Sequence, residues 1–196
     1  MTPAPADALR LSRDRSLLIV VDIQARLAPH VADGPAIIAR AEALVAGAAQ
    51  FAIPAFLTEH CPDQLGPVVS PLRERFAASH IFAKTCFGAV DHPEFDALLH
   101  STGRRQVLVA GMETHVCVMQ TTLGLLARGF AVFVAGDAVG SRTAHAADRA
   151  FALERMRAAG AVVVGTETAL FEWTHAGDDP AFRAVLGLVK GLDAGD

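Results

Sequence analysis

Leu17-Leu18-Ile19-Val20-Val21, closed by Asp22, is the stretch that decides the fold. Strands with one wet face alternate apolar and polar residues. A run with no polar residue, rich in β-branched side chains, fits a strand buried on both faces, as in a parallel sheet covered by helices. The pattern recurs along the chain. Ala55-Phe56-Leu57-Thr58, entered through Pro54, reads as a second strand, and His80-Ile81-Phe82-Ala83 as a short third. Gln106-Val107-Leu108-Val109-Ala110-Gly111, Ala131-Val132-Phe133-Val134-Ala135 and Ala161-Val162-Val163-Val164 complete a set of six.

Helical patterns fill the gaps. Ile37, Ile38, Ala41, Leu44 and Val45 fall at helical spacing within residues 34–50. Residues 93–99 start with Pro at the first turn, where its missing N–H costs nothing. Residues 114–128 end at Gly129, and residues 141–159 end at Gly160, both suited to a left-handed C-terminal cap. Ser141 is the expected N-cap of the latter helix. Shorter pieces near 168–173 and 180–189 follow. Strands alternating with helices predict an α/β fold: a three-layer α/β/α, Rossmann-like domain with a six-stranded parallel sheet. One domain over residues 1–196 is expected, since no linker or repeat divides the chain.

Composition narrows the function. The chain is 52% hydrophobic and 19% charged, too apolar for disorder. Its net charge is −4, with no basic stripe, so no nucleic-acid partner is expected. No apolar run approaches the ~18 residues that cross a bilayer, so no membrane role is expected. Residues 1–10 are Pro/Ala-rich without an apolar core, so no secretory signal is read and a cytoplasmic setting is expected. Cys61, Cys86 and Cys117 are an odd number, consistent with free thiols in a reducing compartment.

In open parallel sheets, ligands bind beyond the carboxyl ends of the strands. Three reactive groups are expected at that edge: Asp22 after the first strand, Lys84 after the third, and Cys117 in the first turns after the fourth. Each alone has an ordinary explanation. An Asp there is often a turn cap, a Lys a surface charge, and a Cys a small buried hydrophobe. Together they fit one chemistry. A free thiol has a pKa of about 8.5, and a helix N-terminus, a cation and a base each raise its reactive fraction. Lys84 supplies the cation and Asp22 the base. Backbone amides between Gly111 and Cys117 would face a developing oxyanion.

At these residues the sequence resembles the isochorismatase-like cysteine hydrolases. The matching stretches are Val20-Val21-Asp22-Ile23-Gln24, Lys84-Thr85-Cys86-Phe87 and Gly111-Met112-Glu113-Thr114-His115-Val116-Cys117-Val118. Gly136-Asp137-Ala138-Val139-Gly140-Ser141-Arg142 and Arg155-Met156 fit the same pattern. Within that superfamily the chain looks closest to the isochorismatase domain-containing proteins. The resemblance implies a catalytic triad of Asp22, Lys84 and Cys117. It also implies a non-proline cis peptide at Met112–Glu113, aiming the amides of Glu113 and Cys117 at one oxygen, and a homo-oligomer.

Two departures place the chain within the superfamily. Isochorismatases proper, which hydrolyse a vinyl ether, lack the nucleophilic Cys that is present here. Nicotinamidases carry metal-binding histidines after the second strand, where this chain has Thr58-Glu59-His60-Cys61-Pro62-Asp63 with His60 alone. The remaining histidines, at 30, 80, 92, 100, 115, 145 and 175, show no metal spacing, so no metal and no cofactor are expected. Gln24, His60, Phe87 and Thr114 are the expected substrate pocket. Gln24 serves equally as a structural hydrogen bond, and Phe87 equally as core. Asp137 reads as a structural cap, and His115 as pocket lining or helix surface. Residues 59–70, rich in Pro and Gly, read as a flap. Val185-Leu186-Gly187-Leu188-Val189 suits either an interface or internal packing. The expected function is hydrolysis of a C–N bond in a small amide, carbamoyl or imide substrate through a thioester. The alternatives are a non-catalytic binding or scaffold protein that keeps the fold, and a vinyl ether hydrolase. A thiol protein using Glu113 as partner is a further reading.

Overall fold

The computed structural model describes residues 9–193. Six strands form one sheet: β1 (Ser16–Val21), β2 (Ala55–His60), β3 (Ile81–Lys84), β4 (Gln106–Met112), β5 (Ala131–Gly140) and β6 (Val162–Val164). Their order is β3-β2-β1-β4-β5-β6. All neighbours are parallel. The helices are α1 (Gly34–Gln50), α2 (Pro62–Leu65), α3 (Ser70–Arg73), α4 (Pro93–Ser101), α5 (Met119–Ala127), α6 (Ala146–Ala158), α7 (Thr166–Thr174) and α8 (Phe182–Asp193). The chain winds outward from β1 to β3, then returns to the centre to place β4 beside β1. The β1–β4 boundary is therefore the topological switch point, where a crevice opens at the carboxyl ends.

Both faces of the sheet are covered, as the apolar runs require. Leu18, Val20, Leu57, Leu108, Ala110 and Phe133 pack on one face against α1, α7 and α8, through Ile37, Leu44, Leu170, Trp173 and Val185. Leu17, Ile19, Val21, Val107, Val109 and Val134 pack on the other against α4, α5 and α6, through Phe95, Leu99, Leu125, Leu153 and Met156. All six residues of β1 are buried. Each large aliphatic side chain so placed contributes roughly 1.5–3 kcal/mol over exposure. Val185 and Val189 are buried in this core, so the C-terminal apolar stretch packs inside the molecule.

Three local departures from the expected outline shape the site. First, β5 runs to Gly140 with a register shift. Val109 pairs with Val134, but Gly111 pairs with Val139, so residues 135–138 bulge out of the ladder. Asp137, on the bulge, accepts from Thr166 N and Oγ1, so it caps the start of α7. Second, Ser141 does not cap α6. The β5 extension carries it past the sheet edge, where its Oγ meets His115 Nδ1 at 2.9 Å, and α6 starts only after a 3-10 turn at Thr143–His145. Third, residues 59–70 are not a free flap. Gln24 Nε2 donates to His60 O and Gly66 O, and its Oε1 accepts from His60 N. Val68 N and Arg73 both donate to the buried Glu59 carboxylate. These bonds fix the segment along its length.

Gly111 is required where β4 passes β1. Its φ is +124°, and a Cβ there would lie 2.0 Å from Val21 O. Neither backbone can yield, because both belong to central strands. Gly111→Ala is expected to destabilise the protein by about 3 kcal/mol or more, combining backbone strain with overpacking. Urea unfolding followed by circular dichroism measures this. A loss below about 1 kcal/mol, the ordinary scale for a glycine replacement, contradicts the close approach.

Candidate active site

Asp22 is the first residue beyond β1 and has a left-handed φ of 49°. Asp tolerates that region better than most residues, and here it turns the chain off the end of the strand. Its carboxylate is buried and fully engaged. Oδ1 accepts from Thr58 Oγ1 at 2.6 Å, and Oδ2 accepts from Lys84 Nζ at 2.7 Å. Lys84 is the last residue of β3, paired with His60 of β2. Its ammonium has three protons, and three acceptors take them: Asp22 Oδ2, Cys86 O at 3.2 Å and Phe87 O at 3.1 Å. Both side chains are 1% exposed. A buried ion pair with this degree of satisfaction holds its charges in place, since neither has water as an alternative.

Cys117 comes to the same edge from β4. The chain leaves β4 through the cis Met112–Glu113 peptide, the position that the resemblance implied. Residues Thr114–Val118 then form a π-helical turn before α5 begins. Within that turn the N–H groups of Val116 and Val118 both donate to Glu113 O, at 3.1 Å each. The Glu113 side chain points the other way. Its Oε1 accepts from Arg142 N and Nε, at 3.1 and 2.9 Å. Burial pushes the Glu113 carboxyl up, but the Arg142 hydrogen bonds and charge outweigh it, leaving the group below the usual carboxylate range. Glu113 is thus tied to the β5 extension rather than offered to the thiol.

Cys117 is a buried residue, 6% exposed, and its thiol pKa is pushed well above the ordinary value. Burial pushes its pKa up first. The negative charge of Asp22 adds to this, Lys84 opposes it, and a hydrogen bond to Asp22 again favours the thiol. The residue types at this edge predict a thiol primed toward thiolate. In the folded protein burial and the Asp22 charge outweigh Lys84, and the neutral thiol is favoured.

The four expected pocket residues fall into different places. Gln24 is fully buried, and its amide is used to hold residues 60–66. Thr114 is fully buried, with Oγ1 unpartnered. His60 has an unpartnered, buried Nδ1, and its ring lies 5.1 Å from that of Phe87. Phe87 is 48% exposed, so it is not core. Cys61 and Cys86 are half-buried and free. Thr58, which anchors Asp22, escaped the sequence reading. The signal was there in the register, because Thr58 pairs with Val21, one residue before Asp22. A cleft of about 470 Å³ lies elsewhere, lined by Asp33, Arg40, Asp137 and Arg149 among others, and none of the three reactive groups borders it.

The sequence model of the Isochorismatase domain matches residues 16–168. The chain belongs to the isochorismatase family. Isochorismatase domain-containing protein 2A of Mus musculus is 33% identical over 191 residues, 97% of this chain and 90% of that protein. Isochorismatase domain-containing protein 1 of Danio rerio is 35% identical over 181 residues, 92% of this chain. The chain spans about three fifths of the fish relatives' length, 62% for Danio rerio and 59% for Salmo salar. Among solved structures, the MAR1 ribonuclease of Caenorhabditis elegans superposes with a TM-score of 0.85 at 36% identity, covering 92% of each chain. YcaC of Escherichia coli, described as an octameric hydrolase of unknown specificity, gives 0.84 at 26% identity over 100% of both chains. The architecture is thus that of the isochorismatase-family hydrolases.

The held thiol has a consequence for stability. When the protein unfolds, Cys117 regains an ordinary pKa of about 8.5. Below that pH both states keep the proton, and the thiol contributes no pH dependence. Above it the unfolded chain releases a proton that the folded one retains, so stability falls by about 1.4 kcal/mol per pH unit from this group. Urea unfolding at neutral pH and near pH 10 measures it. Cys117→Ala is expected to lose less stability than the wild type over that interval, and equal losses would show an ordinary thiol.

Proposed function

We propose that this isochorismatase-family chain is a cysteine hydrolase that cleaves a C–N bond in a small amide, carbamoyl or imide substrate. The observation that carries the reading is the buried Lys84–Asp22 pair at 2.7 Å, close enough to the Cys117 thiol for the Asp22 charge to push its pKa up. A buried carboxylate fixed on a thiol is a general base in waiting, and a thiol without one is a poor nucleophile.

As substrate arrives, Asp22 removes the Cys117 proton while sulfur attacks the carbonyl carbon. Lys84 holds the Asp22 carboxylate in position through their 2.7 Å ion pair and stabilises the negative charge as it moves to sulfur. The backbone N–H groups of Glu113 and Cys117 receive the oxyanion. Asp22 returns the proton to the leaving nitrogen, the C–N bond breaks, and a thioester on Cys117 remains. Water then attacks the thioester with Asp22 as base, releasing acid and thiol. The substrate is taken to be small, entering past His60 and Phe87, with the unpartnered His60 Nδ1 and Thr114 Oγ1 as groups for its polar atoms. Gln24 keeps a positioning role in that pocket through its hold on His60.

A homo-oligomer and a reducing, cytoplasmic setting belong to the same reading. The octameric Escherichia coli relative and three free thiols support them. Among the described residues, no helix is long and apolar enough to cross a membrane. The ribonuclease name of the nematode relative is not carried over, because a net charge of −4 provides no phosphate footprint.

The test is turnover of a panel of small amides, ureas and imides, with mass spectrometry of the trapped enzyme. Wild type is expected to release amine in a burst and to carry the acyl group on Cys117. Cys117→Ala is expected to lose at least about 10⁴-fold in turnover. Activity retained in Cys117→Ala sinks the covalent mechanism. Turnover of a vinyl ether with no acylated enzyme would favour the isochorismatase-type reaction instead.

A further inference from the structure

The fold assembles a cluster that no sequence spacing announces. His115 stands in the turn that carries the nucleophile, two residues before Cys117. His145 and Asp148 stand at the start of α6. One ligand atom from each of these side chains lies within 4.8 Å of the other two. The imidazoles are stacked, with ring centroids 5.0 Å apart and planes 18° from parallel. His145 Nδ1 is 2.8 Å from Asp148 Oδ2, and His115 Nδ1 is 2.9 Å from Ser141 Oγ. Ser141 is itself buried.

From this arrangement we infer that His115, His145 and Asp148 form a binding site for a divalent transition cation, zinc by preference, outside the hydrolytic centre. Two imidazoles and a carboxylate are the donor set that zinc takes when it keeps a fourth position open, with bonds of about 2.0–2.2 Å. Two such ligands at a tetrahedral angle stand about 3.3 Å apart. The 2.8 Å His145–Asp148 contact is already near that edge, so the cation takes the place of the proton shared between them. His115 has Nε2 left over, because Nδ1 is held by Ser141. Its outer hydrogen bond is the kind that orients a metal-binding imidazole. The His145 and Asp148 side chains are 37% and 48% exposed, which leaves them room to turn toward His115. His115, Asp148 and Arg155 also border a cleft of about 220 Å³, with Met119, Phe151 and Ala152. A cation there would have that space beside it for a fourth ligand, water or a small carboxylate paired with Arg155.

The sequence expectation of no metal rested on spacing. His115 and His145 are thirty residues apart, and it is the extended β5 that brings them together. The site would fasten the Cys117 turn to α6. It is independent of the hydrolase reading, and either can fail alone.

The experiment is calorimetric titration of chelator-stripped protein with zinc chloride, and absorption with cobalt(II) as probe. One cation per chain is expected. Cobalt is expected to show visible d–d bands without the near-ultraviolet charge-transfer band of a sulfur ligand. His145→Ala and Asp148→Asn should each weaken binding by at least about 10-fold, while a Cys61→Ser/Cys86→Ser variant binds as wild type. Circular dichroism confirms that each variant is folded. Dissociation constants weaker than about 1 mM for the wild type overturn the proposal. So does a sulfur charge-transfer band, or binding unchanged in both α6 variants.

Discussion

Everything at the reactive edge depends on the ion pair between Asp22 and Lys84. Burying two opposite charges costs several kcal/mol per ion, and only a complete set of partners offsets this. Asp22 and Lys84 have that set: one threonine hydroxyl, two backbone carbonyls and each other. The partners come from the ends of β1, β2 and β3 and from the turn after β3. The pair therefore fixes the relative height of three strands at the edge where the fold opens. Removing either member would leave a lone buried charge, at about 3–5 kcal/mol. The interaction that organises this edge is therefore costly to alter.

The pair also decides how the thiol is kept. Burial raises the Cys117 thiol first, and of the two neighbouring charges that of Asp22 adds to the rise while that of Lys84 opposes it. With burial and the Asp22 charge both favouring the neutral form, the thiol keeps its proton at rest. Glu113, the other carboxylate nearby, is held by Arg142.

The architecture was legible because burial on both faces leaves an unmistakable mark. Continuous runs such as Leu17–Val21 have no other economical explanation in a chain of this length. The site edge was legible for a related reason, since strand ends in a parallel sheet all point one way. What the sequence hid was long-range. Thr58 looks like one more strand residue until register places it against the end of β1. Ser141 looks like a helix cap, and becomes a partner of His115 only because β5 bulges and then runs on. Residues 59–70 look like a flap by composition, but their polar groups are consumed by Gln24 and Glu59. Local propensity reports a residue's own backbone, not the element that arrives beside it.

Trp173 lies at the opposite end of the molecule. Its ring is fully buried, and Nε1 donates to Ser16 Oγ at 2.9 Å, at the start of β1. Asp22 follows the far end of the same strand, six residues on and roughly 20 Å away at strand rise. The chain has one tryptophan and no tyrosine. Its tryptophan emission therefore has a single source, placed at the foot of the sheet and not at the carboxyl edge. Emission from this protein will be nearly blind to occupancy of the reactive edge and will respond when the sheet itself comes apart. Opening of the fold and events at the site are separable by optics alone, without any label.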